Sequence, residues 1–419
     1  MLGLNPRRAS LKVGSEPKEA LTADKSEGGS VRLLVSISST TSTVFPVFIT
    51  GAVAVQLRHS LHFSIAFVGV AVAIFFGTAA ITSLFAGSLA ERHGGAKVMR
   101  MATFASAVMM GLIALVAHSF GALAILLALA GIANGTNQPA NNLFVINAVK
   151  ANKRGFALGV KQAAIPVATL LAGLAVPSVA LTIGWRYVYV FAAIIAVVVS
   201  LLIPSDPDEL KVKVQRRRDG EKVQISLLPV TTLAVAMALG AGTSNALGAY
   251  LVEFAVHQSY APGSAGLIGA LGSLVSLVTR LSVGYRADKR DGKHLLVVAS
   301  MIGTGAIGYL LFASSVKWLV IPAAVIGYGF GWGWNGLFNF AVVVNHKGAE
   351  GRATGITQSG AFVGSVAGPI SFGYSVVHLG FQTSWVLLVA VAVASSLLML
   401  FGRHLILLSR NQLNSNELG

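Results

Sequence analysis

Gly87-Ser-Leu-Ala-Glu91-Arg92-His-Gly94, a short charged turn between two long apolar stretches, decides the fold because the chain writes it twice. Residues 284–290 read Gly284-Tyr-Arg-Ala-Asp288-Lys289-Arg290, again between apolar stretches and 197 positions later (Gly284 against Gly87). Two further pairs keep the period. Gly159-Val-Lys161-Gln162 matches Gly355-Ile-Thr357-Gln358, and Gly184-Trp185-Arg186 matches Gly380-Phe381-Gln382, each at a spacing of 196. One half is therefore written twice, a pattern that in a very apolar chain points to a secondary transporter.

Composition fixes the solvent. Of 419 residues 54% are hydrophobic and only 11% charged, against roughly a quarter charged in a soluble domain. Apolar runs of about twenty residues, enough to cross a hydrocarbon layer of roughly 30 Å, follow one another with short gaps. The chain is expected to be a multi-pass helical membrane protein embedded in the lipid bilayer. It has no cysteine, which removes disulfides, thiolate metal sites and thiol nucleophiles. The histidines show no metal-ligand spacing, and no phosphate loop or nucleophile–base pair stands out, so neither an enzyme nor a cofactor or metal site is expected. A net charge of +16 reads as basic residues retained on one membrane face rather than as a nucleic-acid footprint.

Twelve spans follow, at about 33–56, 64–88, 98–118, 121–148, 155–181, 187–204, 227–255, 264–285, 294–315, 318–345, 353–377 and 383–404. They group as two six-helix bundles, 33–204 and 227–404, joined by a charged central loop at 205–226. Residues 1–32 lack an apolar signal core and read as a disordered tail; 405–419 form a second tail. With both termini cytoplasmic, nearly all basic loop residues fall inside and only Arg58, Arg186 and Lys317 outside. That sorting predicts a plasma or inner membrane protein with both tails in the cytoplasm.

The 6+6 arrangement and the repeated turn resemble the major facilitator superfamily over about residues 33–404. In that family the turn between helices 2 and 3 reads G-x-x-x-(D/E)-R-x-G-x-(R/K)-(R/K). Gly87, Glu91, Arg92 and Gly94 fit; Ala96 departs, and Lys97 supplies the trailing base. The second copy keeps Gly284 and Asp288 but has Lys289 for Arg, followed by Arg290 and then Asp291 where Gly is expected. The resemblance implies twelve helices, alternating access, a monomer, and a latch at the two turns. There the acid faces the positive end of a helix from the other half, and the bases meet carbonyl ends or lipid phosphates. The alternative is a solvated turn with charges on the cytoplasmic side.

Few ionisable groups lie inside the spans, where each is a functional candidate. Lys161 lies about seven residues into the fifth span, roughly 10 Å from its end at about 1.5 Å per residue. Its repeat mate is Thr357, so a symmetric scaffold does not demand a lysine there. Lys161-Gln162-Ala-Ala-Ile-Pro166 also resembles a fifth-helix pattern of bacterial facilitators related to the cyanate/nitroimidazole transporter group. Arg280 ends a small polar stripe (Gly269, Gly272, Ser273, Ser276) in the eighth span, and its planar fork suits a carboxylate. An Arg on helix 8 resembles the anion-binding Arg of monocarboxylate and oxalate–formate carriers. For both cations the competing reading is a side chain stretched to the interface.

Two cations with no nearby acid favour an anionic small-molecule substrate. Amides on span 4 (Asn137, Asn141) and Trp334, Asn335 and Asn339 on span 10 are expected to line its cavity, the alternative being helix–helix packing. Glu253, near the outer end of span 7, is the candidate for a coupling proton. The expected activity is secondary transport of a small organic anion, a carboxylate, by alternating access. The competing activity is efflux of hydrophobic drugs or metabolites, with Lys161 and Arg280 structural. A receptor that kept the carrier fold would bind ligand without flux.

Overall fold

The computed structural model describes residues 17–148, 157, 160–204, 226–287, 293–346 and 350–417. Every regular element among them is a helix. The spans are α1 (Pro17–Ala52), α2 (Ala66–His93), α3 (Gly95–Val116), α4 (Phe120–Ala148), α5 (Ala164–Ala175), α6 (Trp185–Leu202), α7 (Leu227–His257), α8 (Pro262–Ala287) and α9 (His294–Ala313). The tenth is split into α10a (Val320–Gly329) and α10b (Asn335–Asn345) by a turn. The last helical run, Glu350–Glu417, breaks at Gly380 (φ 77°, ψ 168°) into α11 (350–379) and α12 (381–417). Nine helices among the described residues are long and apolar enough to cross a membrane. The last of these supplies two crossings, and the shorter apolar helices Ala164–Ala180 and Lys317–Gly329 complete the twelve.

The internal duplication is visible in the backbone. Gly184 and Gly380, repeat mates, both take positive φ (110° and 77°) with extended ψ (153° and 168°) at the turns before α6 and α12, a region open essentially to glycine alone and costing other residues of order 1–3 kcal/mol. Gly94 (φ 89°) makes the tight reversal of the first charged turn. Two helices run past their expected limits. α1 is described from Pro17, inside the expected tail, and α12 continues to Glu417 rather than ending near 404. α5 ends in a π turn, Val176–Ala180, whose second residue is Pro177.

Helices 1–6 pack among themselves, as do 7–12, and the halves meet through α2 with α11, α5 with α8, and α1 with α7. Exchanging the halves turns the first of these contacts into the second, as a two-fold relation requires. Within the second half, Gly360, Gly364 and Gly368 of α11 lie directly on the α7 backbone at Ala234, Ala238 and Gly242. This is the small-residue approach that draws helices together in lipid. The helix ends at His93, Ala287 and Asn345 and the helix starts at Gly95, His294 and Glu350 lie at one end of the bundle, with Arg92, Lys97, Arg286 and Lys293. That end is called the basic end below.

Candidate functional site

Two prolines beside the central cavity free carbonyls that other helices satisfy. A proline at position i cannot donate to the carbonyl at i−4. In α1, Pro46 frees the Ser42 carbonyl, and Ser106 of α3 donates to it at 3.1 Å. In α5, Pro166 frees the Gln162 carbonyl at a turn over Gln162–Ala163, and Arg280 of α8 donates its Nη1 there at 3.0 Å. The Nη2 of Arg280 donates at 2.9 Å to the Trp332 carbonyl, inside the break of the tenth span. Arg280 is thus a buried strut from the second half that satisfies two broken helices, one in each half. It does not line the cavity, and its buried Nε has no hydrogen-bond partner among the described residues.

The cavity measures about 280 Å³ and is walled by both halves. Lys161 is its cation. The residue is only 3% exposed, and Nζ donates to Asn142 Oδ1 at 2.7 Å, Gln138 Oε1 at 3.0 Å and the Gln138 carbonyl at 3.3 Å. All three acceptors are neutral, and no carboxylate lines the cavity among the described residues. Gln162, Asn335, Asn339 and Gln358 also face it. Gln162 and Gln358 are repeat mates, one from each half. Phe48 of α1 and Trp332 meet edge to face across the halves, with ring centroids 5.8 Å apart, and both border the same space.

The amides of α4 divide between two faces. Asn134, Gln138 and Asn142, at four-residue steps, face the cavity. Asn137 and Asn141 turn instead into α1. Asn137 accepts from Ser39 Oγ (3.0 Å) and donates to Thr43 Oγ1 (3.0 Å). Asn141 accepts from Ser36 Oγ (2.5 Å) and donates to Thr40 Oγ1 (2.7 Å) and the Ser36 carbonyl (2.8 Å). Both are fully buried helix-to-helix bonds with no share in the cavity wall. Trp334 is likewise buried away from the cavity, its Nε1 donating to the Gly331 carbonyl at 2.8 Å; Trp332, two residues earlier, takes the wall position. Sequence reasoning missed Phe48, Phe76 and Asn245. The four-residue spacing on α4 and the repeat match of Gln358 were signals for the amides.

The cavity is shut at the end away from the basic turns. There Arg58, in a short helix (Ala54–Leu61) after α1, forms an ion pair with Glu253 of α7. Glu253 therefore sits in a contact between the halves rather than on the cavity wall, with its second oxygen buried and unpartnered among the described residues. Tyr250, one turn earlier on α7, places its hydroxyl between Gly69 of α2 and Gly373 of α11 and donates to the Ile65 carbonyl at 3.4 Å. Toward the basic end, Asn142 and Gln358 of the cavity wall are exposed. Among the described residues outside their own helices, no atom lies within 4 Å of the position where a side chain would begin on Gly87 or Gly284. Arg92 is exposed. The side chain of Glu91, and Asp288, Lys289 and Arg290 entirely, lie outside the described residues.

Comparison with known proteins agrees with this architecture. The family model described as Major Facilitator Superfamily matches twice, over residues 34–232 and 232–412. The chain is 27% identical over 328 residues to a multidrug resistance protein MdtG of Dickeya zeae, covering 74% of this chain and 80% of that protein. It is 26% identical over 333 residues to an MdtG of Salmonella arizonae, covering 77% and 79%. The cyanate/nitroimidazole group finds no support among these relatives. Among solved structures, a bacterial homologue of the human lysosomal transporter Spinster, inward-facing and unoccupied, superposes with a TM-score of 0.65 at 14% identity, covering 94% of this chain and 97% of that one. The nucleoside transporter NupG superposes with 0.69 at 14%, covering 89% and 99%. The duplicated model match and the helical architecture together place this chain in the Major Facilitator Superfamily.

Proposed function

We propose that this transporter, which is not an enzyme, moves a small organic anion across the cell membrane by alternating access. The observation that carries the reading is the Lys161 ammonium: buried in the wall of a cavity between the halves, held by three neutral oxygens and faced by no lining carboxylate among the described residues. A buried cation with only neutral partners gains most from a ligand that brings the opposite charge. Gln162, Asn335 and Asn339 would hydrogen-bond the ligand beside it. Arg280 acts through Gln162 and Trp332 by fixing the two helix breaks rather than by touching substrate.

The moving units are the halves 33–204 and 227–404, with 205–226 as the joining loop, working as a monomer. The basic end faces the cytoplasm by the positive-inside rule, so the described conformation is inward-open. In the opposite conformation the turns at Gly87–Gly94 and Gly284–Arg290 close that end. The MdtG relatives are named for multidrug resistance, which favours export as the direction. It also keeps a second reading, efflux of hydrophobic neutral or cationic compounds. The purified carrier and Lys161→Ala are compared by thermal shift against carboxylates, inorganic anions and neutral aromatics. Stabilisation by an anion that is lost in Lys161→Ala is expected. Equal stabilisation of both proteins by neutral or cationic ligands would replace the anion reading with the efflux one.

A further inference from the structure

The cavity wall carries one cation, Lys161, and an aromatic pair, Phe48 and Trp332. Thr41 of α1 donates to the Ala164 carbonyl at the start of α5 at 3.3 Å, which sets α1 and α5 at the same level one turn from Lys161. Phe48 lies seven residues further along α1, about 10 Å away at 1.5 Å per residue. Trp332, in contact with Phe48, is held there by Gly248 of α7: a Cβ on Gly248 would lie 2.7 Å from the indole ring. Along the same face of the tenth span, Asn335 and Asn339 follow Trp332 and carry no side-chain hydrogen bond among the described residues. The space between is slender, since 280 Å³ falls just below the roughly 300–1,000 Å³ of drug-sized sites.

We propose that the substrate is an amphipathic monocarboxylate with a flat apolar body: the head on Lys161, the body laid along the cavity to Phe48 and Trp332. This rests on the anion reading above and adds the body to it. Lys161 and Phe48 belong to the first half and Trp332 to the second, so the body reaches the aromatic contact that joins the halves. A short acid neutralises Lys161 and never touches that contact. An aryl-alkyl acid does both, so its affinity senses whether the halves are joined there.

The test uses the purified full chain, with dissociation constants for propionate, 3-phenylpropionate and 3-phenylpropionamide, and flux of 3-phenylpropionate into proteoliposomes. In the parent protein, 3-phenylpropionate is expected to bind at least tenfold tighter than propionate. Trp332→Ala and Phe48→Ala should erase that tenfold advantage while leaving propionate binding within about threefold of the parent. Trp332→Phe should restore most of it, which separates a ligand contact from a folding defect. Equal affinity for propionate and 3-phenylpropionate in the parent protein overturns the aromatic body and leaves the anion reading standing. If the neutral amide binds as tightly as the acid, the anion reading itself falls.

Discussion

Adding one methyl group at Gly69 should open the closed end. A Cβ at Gly69 would overlap the Pro369 carbonyl oxygen of α11, and would lie 2.5 Å from the Tyr250 hydroxyl and 2.7 Å from the Pro369 carbonyl carbon. A backbone carbonyl inside a helix cannot rotate away, so relief requires α2 to part from α11, and these helices belong to different halves. Overpacking of this kind costs roughly 1–3 kcal/mol, which at about 1.4 kcal/mol per tenfold is roughly 5- to 150-fold in the equilibrium between the two conformations. Gly77, two turns along the same helix, is the control. A Cβ there meets only Val366 Cγ2 at 3.8 Å, an ordinary contact, so Gly77→Ala should change nothing. The chain has no cysteine, so Asn335→Cys gives a single thiol on the cavity wall. Its reaction with a membrane-impermeant maleimide can then be followed in vesicles of both orientations. Gly69→Ala should speed labelling from the closed-end side at least fivefold and slow it from the basic end. If Gly69→Ala labels like Gly77→Ala on both sides, closure does not depend on this contact and the assignment of the closed end is refuted.

The two faces of α4 should separate stability from binding. Asn141→Ala removes three buried hydrogen bonds and should lower stability by about 1–3 kcal/mol with little change in ligand affinity per folded molecule. Asn339→Ala should leave the melting temperature within a degree or two and weaken binding. Arg280→Ala orphans the Gln162 and Trp332 carbonyls and should destabilise by a similar amount. Adding Pro166→Ala supplies a backbone N–H for Gln162 and should recover part of the loss in a thermal melt. Glu253→Gln breaks the pair with Arg58 and should raise closed-end labelling as Gly69→Ala does. The exchange Arg58→Glu with Glu253→Arg should return it toward the parent rate.

How much of this was legible in the sequence follows from which interactions are local. The duplication, the number of spans and the loops carrying the charge depend on apolar length and motif spacing, and the chain states them outright. Positive φ at both Gly184 and Gly380 shows that the repeat extends to single turns. Side-chain destinations are a different matter. Asn137 and Gln138 differ by only about 100° around α4, yet Asn137 bonds α1 while Gln138 faces the cavity. Which face meets α1 is set by the crossing of two helices far apart in sequence. Arg280 shows the same limit. Its reading as an anion site came from its own helix, whereas its partners, the Gln162 and Trp332 carbonyls, are exposed by breaks in two other helices. Pro166 was the legible half of that arrangement, because it marks a carbonyl that needs an outside donor.

The symmetry of the scaffold and the asymmetry of its charge lead to one further step on the proposed reading. Gln162 and Gln358 occupy equivalent places in the two halves and both face the cavity, but their neighbours differ. Lys161 brings a cation, while Thr357 returns its hydroxyl to its own helix at Ala353 and Thr354. An anion is therefore anchored to one half only. When the halves rock, its head travels with α5, and contacts with the second half must break or form around it. A ligand bound by charge alone would ride with the first half in either conformation and would not discriminate between them, so it could not shift their balance. Only contacts made to the second half, at wall residues such as Trp332, Asn335, Asn339 and Gln358, can link occupancy to the motion. Selectivity for what is carried should accordingly reside in the second half's wall, and selectivity for charge in α5.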